Sequence, residues 1–309
     1  MAVSDTTFAI IKEIVPGQTP ATPAFLSVDY IPGTMPVYQS DNVVSQVQKA
    51  SRGSAGARKT NFSVGGGLAL ELFRDAAVDL LLESTLSGTF VGAVLKAGST
   101  DTSFTVEQRR VVDGLAADFY RFTGCQVSSM SLTVGANSIG SLNFDIMGMN
   151  RTKGSVIITG ATYAAPSTKI KLAGIDITAV TVGGVSLVCT DLSINVSHNR
   201  ETQSQFGSAS ARGVGTSGFR TVTVELTCYR DAAFNGLETT LLAGDVGYPV
   251  SATIGPATGA AGYKFDMTLA TVALPTDTVD GSKELVKLTC TASYDPGTAL
   301  TDLAITRLT

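Results

Sequence analysis

The sequence predicts a mainly β protein built from two tandem, related β-sandwich or barrel domains, each with one flanking α-helix, over residues 1–154 and 155–309. Three observations carry that prediction. A short motif returns at a fixed offset, apolar residues alternate with period two, and the chain is rich in the Thr, Val and Gly that suit antiparallel sheets and turns.

The repeat is read first because it sets the architecture. Gly53-Ser54-Ala55-Gly56-Ala57-Arg58 returns as Gly207-Ser208-Ala209-Ser210-Ala211-Arg212, an offset of 154 residues with five of six identical. Leu70-Glu71-Leu72 matches Val224-Glu225-Leu226 at the same offset, and Phe73-Arg74-Asp75-Ala76-Ala77 matches Tyr229-Arg230-Asp231-Ala232-Ala233 at 156. A slip of two residues fits a bulge or loop difference. Leu82 to Leu86 then matches Leu237 to Leu241, and Tyr120-Arg121-Phe122 resembles Tyr263-Lys264-Phe265, all in preserved order.

Each copy reads alike element by element. Pro16, Pro20, Pro23, Pro32 and Pro36 mark the N-terminal segment as an extended arm or edge, since proline cannot donate to a sheet ladder. Leu68, Leu70 and Leu72 alternate with Ala69 and Glu71, and Val222, Val224, Leu226 and Cys228 with Thr223, Glu225 and Thr227, so each strand has one buried face. A helix follows, with Asp75 or Asp231 as N-cap. Its apolar face is Val78, Leu81, Leu82 and Leu86, or Phe234, Leu237, Leu241 and Leu242, and Gly88 or Gly244 is the stop. Late strands are expected at Val127 to Val134 and Leu142 to Ile146, and at Leu285 to Ala292. Between the strands lie two long polar loops, Gln39 to Asn61 and His198 to Gly218; loops of that length in compact domains are usually functional. The boundary between copies falls near Asn150 to Ala165, where turn formers gather.

Composition narrows the function. The 309 residues are 44% hydrophobic and 16% charged, which excludes intrinsic disorder. With 22 Lys and Arg against 26 Asp and Glu there is no basic surplus to drive phosphate-backbone binding. The first fifteen residues read as lacking a secretion signal, and no apolar run is long enough for a membrane helix. Cys125, Cys189, Cys228 and Cys290 lie far apart without a C-x-x-C pair, so they read as small buried hydrophobes; no cofactor is expected.

Catalytic readings fail one by one. Gly53 to Thr60 looks like a phosphate-binding loop, but Arg58 stands where backbone must wrap phosphate, and polar residues precede it in place of a buried strand. His198 stands alone in a polar loop and reads as solvated surface. Asp277 and Asp280 read as a turn, Gly65-Gly66-Gly67 as a turn or bulge, and Arg74-Asp75 and Arg230-Asp231 as structural junctions. Asn61-Phe62-Ser63 and Asn195-Val196-Ser197 are chance matches to a glycosylation pattern.

The order of polar loop, strand, Arg-Asp-capped helix and final strand pair resembles the major tail tube proteins of long-tailed bacteriophages. Tyr120 to Val134, with Gly124-Cys125 inside it, followed by Gly140 to Gly148, looks like the part of that family where an aromatic and a Gly-Cys lead into paired strands. The resemblance implies a non-enzymatic virion protein, assembled in the host cytoplasm, whose sheets join those of neighbours into rings that stack into a conduit for the genome. It implies the tape measure, tail terminator and distal tail proteins as partners, DNA as passing cargo, and no membrane. Carried onto this chain, the two long loops become stacking loops, with Gln48, Lys49, Arg52, Arg58, Lys59, Arg200, Gln205 and Arg212 as inter-ring contacts. Two fused copies let three chains make a pseudo-sixfold ring, with a hexamer as the rival. A head decoration protein or a tandem β-domain adhesin shares the composition and is the alternative reading.

Overall fold

The computed structural model describes the chain except residues 1–3, 48, 50–52, 54, 113–114, 243–246, 256–260, 281–282, 298 and 309. The first half contains β1 (Ser4–Lys12), β2 (Ala24–Val28), β3 (Val37–Val44), β4 (Ala57–Glu71), α1 (Ala76–Leu86), β5 (Phe90–Val91), β6 (Val94–Lys96), β7 (Phe104–Val112), β8 (Asp118–Gly135), β9 (Ser141–Gly148), β10 (Asn150–Gly154) and β11 (Thr162–Tyr163). The second contains β12 (Ile177–Val182), β13 (Val185–Ser186), β14 (Cys189–Ser197), β15 (Arg200–Gln203), β16 (Gly213–Thr216), β17 (Thr221–Tyr229), α2 (Ala232–Leu242), β18 (Tyr248–Ile254), β19 (Tyr263–Val272), β20 (Thr276–Asp280), β21 (Lys283–Ala292) and β22 (Ala304–Arg307). The fold is mainly β, as the alternation predicts.

Strand pairing follows one order in each half. In the first, antiparallel neighbours run β1-β7-β8-β9-β4-β3. In the second they run β12-β18-β19-β21-β17-β14. The halves are joined by β14, which pairs with the C-terminal part of β8 from Ser197↔Ser129 to Asp191↔Gly135. They are joined again by β22, which pairs with both β19 and β6. A single apolar cluster runs through both halves, including Leu68, Leu132 and Phe144 beside Ile194, Leu226 and Ile305.

Long β8 serves two sheets because it bends. Its first part pairs with β7 and its second with β9, and Gly124 at φ 65° lies at the change. A Cβ there would stand 2.4 Å from the Met149 sulfur, so only glycine fits.

The helices form where expected. Asp75 caps α1 by accepting from the Ala77 amide, and Asp231 caps α2 by accepting from the Phe234 amide at 2.8 Å. Val78, Leu81, Leu82 and Leu86 are buried, as are Phe234, Leu237 and Leu241, but Leu242 is exposed, contrary to its expected place on the apolar face. The stop of α1 is Ser87, in the left-handed region at φ 47°, rather than Gly88; Gly244 lies outside the described residues.

Four further expectations are corrected. The two polar loops are largely hairpins: β3 pairs with β4 out to Val44↔Ala57, and β15 pairs with β16. Much of these arms is exposed on both faces, so no alternation betrayed them. Gly65 to Gly67 lie inside β4, in continuous register with β9, where a Cβ on Gly66 would meet the Met35 carbonyl oxygen at 2.5 Å. Asp277 and Asp280 belong to β20, paired with β21. Asn150–Gly154, read as boundary turn, is strand β10 against β8. Cys125, Cys228 and Cys290 are buried free thiols, and Cys189 is half-buried.

Candidate assembly surfaces

The pairings place eight strands side by side in the order β3-β4-β9-β8-β14-β17-β21-β20, every neighbour antiparallel. Alternation gives this sheet two unlike faces. Inward lie Leu132, Phe144, Ile194 and Val224, all buried. Outward, one register row reads Asn143, Ser131, Asn195, Thr223, Thr291, each residue directly opposite the next. The outer face is thus hydroxyl- and amide-rich. Its charges among the described residues are mostly acidic: Glu71, Asp145, Asp191 and Glu225, with Lys287 held by Glu225 at 2.9 Å.

Both edges of the sheet are open. Among the described residues β3 pairs only with β4, and β20 only with β21. On β3, Val37, Val43 and Val44 are each more than half exposed. Unpaired edges bearing exposed valines are normally an aggregation hazard.

The two arms meet. The Phe62 amide donates to the Ala209 carbonyl at 2.7 Å, and the Ala211 amide donates back to the Phe62 carbonyl at 3.1 Å. Lys49, Arg58, Lys59, Gln205 and Arg212 are exposed on these arms, while Gln48 and Arg52 lie outside the described residues. Arg200, named with them from sequence, is buried within the chain instead.

The reason is a polar junction at the C-terminal end of α1. Arg200 pairs with Asp101 at 2.9 Å and donates to the Ser87 hydroxyl at 3.0 Å and to the Gln126 side chain. Arg220 forms a bidentate pair with Asp302, at 2.8 and 3.0 Å, and donates to the Leu86 carbonyl. His198, expected at the solvated surface, is 7% exposed and donates from Nε2 to the Thr85 carbonyl. Burial, followed by the nearby Arg200 and Arg220 charges, holds its pKa below the ordinary 6.5 despite that bond. Donors from the second half thus satisfy the last carbonyls of a first-half helix, where its dipole is negative. No residue type or spacing in the sequence marked this junction.

Elsewhere a cleft of about 690 Å³ lies between β1, β2 and β7, with Glu107 in its lining. That carboxylate is held by Arg121 at 2.6 Å and by the Tyr163 hydroxyl at 2.5 Å. Among the described residues no group of three or more His, Cys, Asp or Glu could hold a metal, and no helix is long and apolar enough to cross a membrane.

Fold and surfaces together describe a structural β protein with open sheet edges and projecting hairpins. The model of the family described as phage tail tube protein matches residues 3–295, and the chain belongs to that family. No curated protein matches it. The chain is therefore a structural tail component of a bacteriophage.

Proposed function

We propose that the chain self-assembles into rings that stack into the tail tube, and that the genome passes through the bore. One observation carries this reading: the eight strands alternate in direction, so β20 of one chain and β3 of the next can meet antiparallel, as β8 and β14 already do inside the chain. The internal junction becomes the template for the external one, a head-to-tail contact that closes by rotation.

The common strand order of the two halves supports reading residues 1–154 and 155–309 as two copies of one unit, and three chains then supply six units to a pseudo-sixfold ring. The outer face of the eight-strand sheet lines the bore. Each phosphate neutralised by a fixed Lys or Arg adds affinity, so a face of hydroxyls with few cations lets duplex DNA pass. The arms reach the neighbouring ring through Lys49, Arg58, Lys59, Gln205 and Arg212, with Gln48 and Arg52 in the same arm by sequence. Assembly occurs in the host cytoplasm, with tape measure, terminator and distal tail proteins as further partners.

Electron microscopy of concentrated purified protein tests this: rings or hollow tubes are expected, and monomers under every polymerising condition would overturn it. The mass of an isolated ring, measured by native mass spectrometry, separates three chains from six.

A further inference from the structure

The four cysteines take no part in the assembly surfaces described above, and all are free thiols. Strand register decides which of them can meet. Cys189 opens β14 and stands directly opposite Cys228 near the end of β17. Cys125 stands opposite Phe104, and Cys290 stands opposite Val224 and Val272. Val224 is four residues from Cys228, so Cys290 lies about 13 Å along the strand from it, well beyond the roughly 7 Å between Cα atoms that a disulfide can span.

The Cys189–Cys228 pair has the geometry a disulfide needs. The Tyr229 amide donates to the Val188 carbonyl at 2.9 Å, so the ladder hydrogen bond flanks the two cysteines instead of joining them. In that narrow type of antiparallel pair the Cα atoms stand roughly 4.5 Å apart, inside the range of about 4.4 to 6.8 Å found for disulfides. Residues directly opposite share a face. Here it is the inner one: Cys228 is fully buried in the apolar cluster, and half-buried Cys189 packs against it. Cys189 also lines a cavity of about 250 Å³ beside Val188, which is 58% exposed, so a small reagent reaches it from solvent.

We propose that Cys189 and Cys228 are an oxidation site, joined by a cross-strand disulfide when the chain meets a small dialkyl disulfide. The site exists whether or not the chain forms rings. A hydrogen bond to the Cys189 side chain, and then burial, keep the Cys228 thiol above its ordinary pKa, so Cys189 is the first nucleophile. Its thiolate attacks one sulfur of the reagent, the reagent's S–S bond breaks, and one small thiolate leaves and takes up the proton that Cys189 lost. Cys228 then gives its proton to solvent and attacks the Cys189 sulfur, and the second small thiolate departs and is protonated. Two protein thiols are oxidised and one disulfide is reduced to two thiols.

The bond closes residues 189–228, which carry the β15–β16 arm and the Arg200 and Arg220 junction, and ties the start of β14 to the strand that leads into α2. A reducing cytosol keeps the pair as thiols, and an oxidising medium links them.

The test exposes the folded full chain to bis(2-hydroxyethyl) disulfide and counts thiols after denaturation. They should fall from four to two, with the intact mass lighter by two hydrogens. A tryptic map should join the peptide ending at Arg200 to the peptide ending at Arg230. Closing a loop of that length should raise the melting temperature by about 5 °C, and dithiothreitol should reverse the rise. Cys189→Ser, at a half-buried position, should fold, keep three thiols and show no rise. Four surviving thiols, a lasting mixed disulfide on Cys189, a bond mapped to Cys125 or Cys290, or an equal rise in Cys189→Ser overturns the site.

Discussion

Arg200 reaches Asp101 at 2.9 Å with no side-chain surface left exposed, and so ties the second half of the chain to the segment before β7 in the first. The arginine is the buried member and Asp101 stays one-third exposed, so the pair itself adds little net stability, but removing Arg200 leaves the Gln126 side chain and the Ser84 carbonyl without their donor.

Arg200→Ala should therefore destabilise the chain by about 3 kcal/mol, through loss of the pair and of the bonds to Ser87 and Gln126. Denaturant unfolding measures it. A change below about 0.5 kcal/mol, the scale of a surface pair, would remove the junction from the account.

His198 gives the junction a pH dependence. Its folded pKa lies below 6.5, so the unfolded chain binds the proton more readily, and stability falls as pH drops through about 6.5 toward the folded value. Melting temperature followed from pH 8 to 5 should decline over that window, and His198→Gln should flatten the decline. An unchanged slope in the variant would assign the acid sensitivity elsewhere.

Gly236 lies inside α2, and a Cβ there meets no atom within 4 Å. Gly236→Ala should raise subunit stability by about 0.5 to 1 kcal/mol through helix propensity and unfolded-state entropy. By contrast Gly66→Ala, at φ 127° and facing the Met35 carbonyl, should lower it by about 1 to 3 kcal/mol. Chemical denaturation of the pair checks the opposite signs.

Deleting residues 42–59 removes the outer part of one hairpin but spares the β4 to β9 ladder from Val64↔Gly148 to Glu71↔Ser141. Folded subunits that close rings yet fail to stack are expected by circular dichroism and electron microscopy. Tubes of normal length from this variant would relieve the arm of its assigned role.

Much of this was legible in the residues. Leu68, Leu70 and Leu72 announced their strand because one face is buried and the other is not, and Asp75 and Asp231 announced their helices by capping chemistry. The arms hid because strands without a buried face have no apolar period to read, as at Asn42 and Lys59. The junction hid for a different reason. Arg200, His198 and Asp101 are brought together by a strand pairing between residues 56 to 68 apart in sequence, β14 on β8, and nothing local foretells which polar side chain such a pairing will bury. The open edges were likewise a property of strand order and not of composition.

The parity of the sheet has a consequence of its own. Because each polypeptide lays down an even number of strands with strict reversal of sense, a cylinder closed from any whole number of copies, odd or even, contains no parallel seam. Every joint around the wall can then use the same ladder geometry, and no single line along the barrel is the one that splits first.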